Sequence, residues 1–195
     1  MHSRFSKLVS GIVVIAAMMF LSACAHSEQV TTMENFETST ELSMENFYAL
    51  EGVWDVESRS LKQRMSGDPE WLENHMETTY RVLLGGLVVI NDTYGTFNDR
   101  PMHGIMIRTY DPDKDEWRFQ WMSEGYPHLI EQVRGRFKNG VGAFYGTETY
   151  QGRDFKMRFR WKMISADHAF WDQSYQDPES GEWEINWTLD LRRKS

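Results

Sequence analysis

Beyond residue 24 the sequence contains no cysteine, and Cys24 is the single one among 195 residues. The main part of the chain therefore has no intramolecular disulfide, no thiolate metal site and no cysteine nucleophile. Its stability has to come from an apolar core, which a chain of this length can build. Basic residues are also in deficit, with 21 Lys and Arg against 29 Asp and Glu and a net charge of −8. That balance argues against a nucleic-acid partner, which needs a basic face, and against a polybasic grip on anionic headgroups. No Gly-x-Ser-x-Gly, phosphate-cradling glycine loop or dinucleotide fingerprint occurs either, so the common signatures of hydrolases and nucleotide enzymes are missing.

The N-terminus carries an address. Arg4 and Lys7 are followed by an apolar run from Leu8 to Leu21 and by the small residues Ser22 and Ala23. This is the layout of a secretory signal with its cleavage site, and the run is shorter than the roughly 20 residues that cross a bilayer comfortably. Leu21-Ser22-Ala23-Cys24 resembles the lipobox of bacterial lipoproteins. The resemblance implies that the Cys24 thiol is acylated and becomes the new N-terminus, held by several acyl chains, since one alone anchors weakly. Ala25 stands where an aspartate would resemble an inner-membrane retention signal, which leans toward the outer membrane. The expected division is a signal over 1–23, a tether over 24–42 and a folded domain over 43–195. The tether is acidic and rich in Thr and Ser, with Glu28, Glu34, Glu37 and Glu41 and no Lys or Arg. Ser43 can cap a helical turn or two through Leu50, which would plug one end of the domain before Gly52 breaks it.

From Gly52 onward strands and turns alternate with hardly a helical period. Asn139-Gly140 suits a type I′ hairpin, and Gly85-Gly86, Gln151-Gly152, Asp111-Pro112 and Asp177-Pro178 mark further turns. These delimit strands at about 52–62, 76–84, 87–97, 102–110, 115–122, 128–138, 141–150, 153–164, 167–176 and 182–193. Phe155, Met157, Phe159, Trp161 and Met163 share one face opposite Lys156, Arg158, Arg160 and Lys162. Trp117, Phe119 and Trp121 form another apolar series, and Trp183, Ile185, Trp187, Leu189 and Leu191 a third. A period of two means one buried and one wet face, and short turns order the strands up and down. The expectation is an all-β fold, an antiparallel up-and-down barrel of about ten strands that closes to remove its edges. A two-sheet sandwich stays open as the alternative.

Leu50-Glu51-Gly52-Val53-Trp54-Asp55-Val56 resembles the Gly-x-Trp opening strand of lipocalins. Together with Arg81-Val82-Leu83-Leu84-Gly85-Gly86 and Gly104, it also resembles the bacterial barrel family called domain of unknown function 1579, over roughly residues 48–192. The resemblance implies a lipocalin-like (calycin-like) barrel around a small apolar ligand and supplies no catalytic residues. The helix that lipocalins place beside the barrel has no counterpart in the stretch up to Ser195.

The candidate ligand-binding residues are Trp117, Phe119, Trp121, Phe159, Trp161 and Trp187, with Tyr145 and Tyr175 as polar handles. These aromatics either line a cavity or pack the interior solid, and ten strands favour a cavity. Arg108, Arg118, Arg134, Arg136, Arg158 and Arg160 are assigned to the solvated outer face, the alternative being a clamp on a ligand carboxylate or phosphate. His75, His103, His128 and His168 show no metal-ligand spacing; haem is the cofactor considered, with His168 or His103 as its ligand, and none is expected. Glu131, Glu148 and Asp172 are the mid-strand acids a general base would come from. Residues 63–74, around Trp71, form either a lid over the barrel mouth or a surface loop.

The expected protein is lipid-anchored in the bacterial envelope, on the outer membrane facing the periplasm. It binds a small hydrophobic or amphipathic ligand and has the membrane, through acylated Cys24, as its other partner. An envelope interaction module with a solid barrel, or a barrel isomerase or hydrolase, are the alternatives. An enzyme is the less favoured of these.

Overall fold

The computed structural model describes residues 45–194. The signal, Cys24, the tether and Ser43 lie outside the described residues. A 3-10 turn at Tyr48–Leu50 leads into β1 (Gly52–Leu61), β2 (Trp71–Leu83), β3 (Val88–Phe97), β4 (Arg100–Asp111) and β5 (Glu116–Ser123). There follow β6 (Tyr126–Lys138), β7 (Val141–Tyr150), β8 (Arg153–Ser165), β9 (His168–Gln176) and β10 (Trp183–Arg193). Each strand pairs antiparallel with its sequence neighbours and β10 returns to β1, so the sheet closes as a ten-stranded up-and-down barrel. Asn139 and Gly140 take φ of 53° and 81°, both positive as a type I′ turn demands. Asn98 and Asp99 close β3 to β4 in the same way, with φ of 51° and 59° and no glycine.

The seam is fastened by the tryptophan of the opening strand. Trp54 is fully buried and pairs in register with Arg193 of β10. The Arg193 guanidinium lies 4.2 Å from the Trp54 ring. Its two terminal nitrogens donate to the carbonyls of Glu51 and Ala49 at 2.6 and 2.7 Å. Trp54 Nε1 donates in turn to the Leu50 carbonyl at 2.7 Å. First strand, last strand and incoming turn are thus held at one point, the closed end.

A ten-stranded barrel is too wide for its own inward side chains to seal. Phe47, ahead of the 3-10 turn, fills the closed end and is fully buried. Its ring meets Trp117 at 5.0 Å and Phe119 at 5.4 Å edge to face, and Phe137 at 4.8 Å. The plug expected before β1 is therefore present, although its helical part is a single 3-10 turn.

Several expectations about which way side chains point need correction. Trp183 and Ile185 do not share a face with Trp187. The register between β9 and β10 shifts at Asn186, so Ile185 pairs with Ser174 while Trp187 pairs with Gln173. That extra residue turns Trp183 to the outside, where the Arg158 guanidinium covers it at 4.5 Å. Tyr145 also faces outward, 51% exposed, with its ring 6.3 Å from Trp183. Arg108, assigned to the outer face, points inward and is 3% exposed. The bulge between β5 and β6 at Gln132 leaves Arg134 outside, bonded to Glu131. β2 begins at Trp71, earlier than expected, so the β1–β2 loop is residues 62–70.

Phe47→Ala is expected to lower the unfolding free energy by about 3–5 kcal/mol in urea melts, the range for truncating a buried aromatic ring. Tyr145→Ala in the same assay should cost about 1 kcal/mol or less. Equal costs for the two would contradict the assignment of faces.

Candidate functional site

Between the Phe47 plug and the β1–β2 loop the barrel encloses a cavity of about 280 Å³. One wall is aromatic: Phe159 and Trp161 from β8, Trp171 from β9, Trp187 from β10, and Phe119 and Trp121 from β5. Strand alternation sends each of these inward, and they interlock edge to face, Phe159 on Trp171 at 4.9 Å and Trp171 on Trp187 at 5.4 Å. Trp187 Nε1 is satisfied by Ser58 Oγ at 2.8 Å. Trp121 lies across the backbone of Gly104 on β4; a Cβ there would overlap its indole. The glycine is what lets that ring lie flat against the wall.

The facing wall carries a polar stripe across β2, β3 and β4. Thr78, Asn91, Thr93 and Arg108 all line the cavity. Asn91 Nδ2 donates to Thr93 Oγ1 at 2.8 Å and to Thr78 Oγ1 at 3.1 Å. The two threonine hydroxyls share a hydrogen bond of 2.7 Å. With its amide nitrogen so used, Asn91 presents Oδ1 to Arg108, whose Nη1 donates to it at 2.5 Å. Arg108 sits deep, one layer inside the plug, with Phe47 and Phe119 at 5.0 and 4.9 Å from its guanidinium. Burial pulls the Arg108 pKa down and pushes the neighbouring Tyr80 hydroxyl up, each partly offset by the other.

The open end is spanned by the β1–β2 loop. Arg64 Nη1 donates to the Tyr175 hydroxyl at 2.6 Å, and Met65 N donates to Glu184 Oε1 at 2.7 Å. Arg64 also stacks over the rings of Tyr175 and Tyr150, at 5.3 and 5.6 Å. The loop thus lies across the mouth as a lid would, although Trp71 belongs to β2 and not to its tip. Burial raises the Tyr175 hydroxyl pKa, against the pull of Arg64 and with Glu148 adding to the rise.

Of the residues singled out from the sequence, Phe119, Trp121, Phe159, Trp161 and Trp187 come together on the cavity wall. Trp117 is inward but lies under the plug, Tyr175 is inward at the mouth, and Tyr145 is outside. Among the three acids, Glu148 lines the cavity. Asp172 is held by Arg160 Nη2 at 2.8 Å, on the outer parity of β9, and Glu131 pairs with Arg134. No histidine of the described residues lines the cavity, so the haem ligation considered for His103 and His168 has no geometry behind it. His103 is outside, bonded to Asp92 and Glu124 at 2.8 and 3.0 Å, contacts that raise its pKa, and His168 is bonded to Asp190 at 2.8 Å.

Two features went unread in the sequence. Arg108 and its partners were missed because β4 is apolar on both parities, Ile105 and Ile107 against Met106, so alternation did not orient it. Pairing of β1 with β2 also gathers Asp55, Glu57 and His75 on the outer surface, each with a ligand atom within 4.8 Å of the others. Both ring nitrogens of His75 are already 3.2 Å from these carboxylates.

The S-type phycobiliprotein lyase CPES from Guillardia theta superposes with a TM-score of 0.50 at 10% identity, over 76% of this chain and 91% of its own. A redesigned β-barrel, mFAP1, solved with DFHBI, gives 0.40 at 14% identity, over 77% and 100%. A protein of unknown function of the DUF3598 family from Nostoc punctiforme gives 0.43 at 13% identity, over 80% and 51%. At such identities the likeness concerns the fold alone. No curated protein matches the chain in sequence. The family model described as a protein of unknown function, DUF1579, matches residues 43–193, and the chain belongs to that family.

Proposed function

We propose that this is a lipid-anchored protein of the bacterial envelope whose barrel binds a small apolar or amphipathic ligand. The cavity of about 280 Å³ carries the reading, because its walls combine interlocked aromatics with a few placed polar groups. A module that acted only through its outer surface would need no such space. Glu148, the acid on the cavity wall, acts on the Tyr175 hydroxyl that Arg64 also holds, an arrangement that fixes the mouth. The anchor rests on the N-terminal residues Arg4 to Cys24, and the outer membrane on Ala25 after the cysteine.

Native mass spectrometry of the full chain purified from envelopes is expected to show a co-purifying small molecule. Added amphiphiles should quench its tryptophan fluorescence saturably. A folded sample that is empty and unquenched by every amphiphile tried would refute the binding role.

Gly104→Val should force the Trp121 ring into the cavity and weaken binding about tenfold or more, a loss of roughly 1.4 kcal/mol. Unchanged affinity would show that the ligand does not use this space.

Cys24→Ala should abolish palmitate labelling and release the protein from the membrane fraction. Retained label would refute the anchor.

A further inference from the structure

Two basic side chains line the cavity; Arg64 belongs to the mouth loop and Arg108 to the blind end. The barrel gives Arg108 an unusual setting. Four aromatic rings surround its guanidinium: Phe119 at 4.9 Å, Phe47 at 5.0 Å, Tyr80 at 5.3 Å and Trp161 at 5.5 Å. Its hydrogen-bond partners are uncharged, the amide oxygen Asn91 Oδ1 and the Tyr80 hydroxyl. Its Nε is buried without an acceptor, as is Nε1 of Trp161 beside it. Among the described residues Tyr80 is the one titratable group that acts on it, and no carboxylate pairs with it. Glu148 stands toward the open end with Tyr175. A buried cation without a counter-ion is strongly unfavourable, and cation–π contacts with ring faces offset this only in part. The Asn91–Thr78–Thr93 chain nevertheless holds it in place, with the Asn91 oxygen turned toward it.

We propose that the ligand is an amphiphilic monocarboxylate whose carboxylate pairs with Arg108 at the blind end while its apolar body lies along Phe159, Trp171 and Trp187. This rests on the ligand-binding reading of the barrel and names the class of ligand. A planar carboxylate matches the guanidinium fork, and one negative charge balances one positive charge. A phosphate monoester, carrying about −1.5 to −2 at neutral pH, would leave surplus negative charge facing the negative faces of four rings. Size follows from the space. A cavity of about 280 Å³ is far more than a lone carboxylate fills and leaves room for an apolar chain of medium length, for which octanoate is the probe.

The test is calorimetric titration of the full chain at neutral pH with octanoate, 1-octanol and octyl phosphate, alongside thermal melts of the empty proteins. Octanoate should bind about ten- to a hundredfold tighter than octanol, the span of a charge-assisted hydrogen bond, and tighter than octyl phosphate. Arg108→Met should erase the preference for octanoate, leave octanol within a few-fold of wild type, and melt no lower than wild type when empty, because an unpaired charge has gone. Arg108→Lys should keep part of the preference. If Arg108→Met does not fold, the wild-type ranking of the three probes decides alone. Octanol binding as well as octanoate, or octyl phosphate binding best, overturns the carboxylate proposal and leaves the binding role standing. Binding of none of the three overturns both.

Discussion

Closure of the sheet between β1 and β10 is the constraint on which the other features depend. Trp54 and Arg193 meet there, and the same arginine reaches past the seam to the carbonyls of Ala49 and Glu51. A ring of ten strands encloses more volume than a single layer of inward side chains occupies. The molecule resolves that surplus differently at its two ends. Near the seam, Phe47 is drawn in until it touches five aromatic neighbours, and the end is sealed. Toward the other end the surplus stays as open space, covered by a loop held through polar contacts of Arg64 and Met65.

The barrel was legible in the sequence because most strands have one plainly apolar parity, and short turns leave little choice of strand order. β8 is the clearest case: Phe155 to Met163 on alternate positions all turn inward. Legibility failed wherever that contrast was absent. β7 has Phe144 on one parity and Tyr145 on the other, and only the paired strands show that Phe144 is buried and Tyr145 half exposed. β10 reads as an unbroken apolar series, yet one inserted residue at Asn186 divides it into an outward and an inward part. Such an insertion has no local signature, because it is defined by the partner strand. The aromatic wall could therefore be named in large part from the sequence, whereas Arg108 could not, and neither could Asp55, Glu57 and His75, which meet only across a strand pair.

The two walls of the cavity divide the labour between shape and charge. Indole and phenyl edges on β5 and β8 to β10 set the cross-section, and their interlocking resists local collapse. The stripe on β2 to β4 is short and internally bonded, so its hydroxyls and amide do not compete freely for an incoming group. The outer face follows the opposite logic. There, arginines such as Arg118, Arg134 and Arg136 pair with nearby acids in contact with solvent, which adds solubility and little stability.

The sealed end has a consequence for traffic. With Phe47 wedged behind Arg108, the interior is a cul-de-sac, and a molecule that entered would have to leave by the doorway it used. For a ligand bound as proposed, no newcomer could push it out from behind, so exchange would be dissociative: departure first, then arrival. On the proposed binding role, the Arg64–Tyr175 latch would set the tempo of exchange, while the choice of guest would be made some distance away, at the far wall.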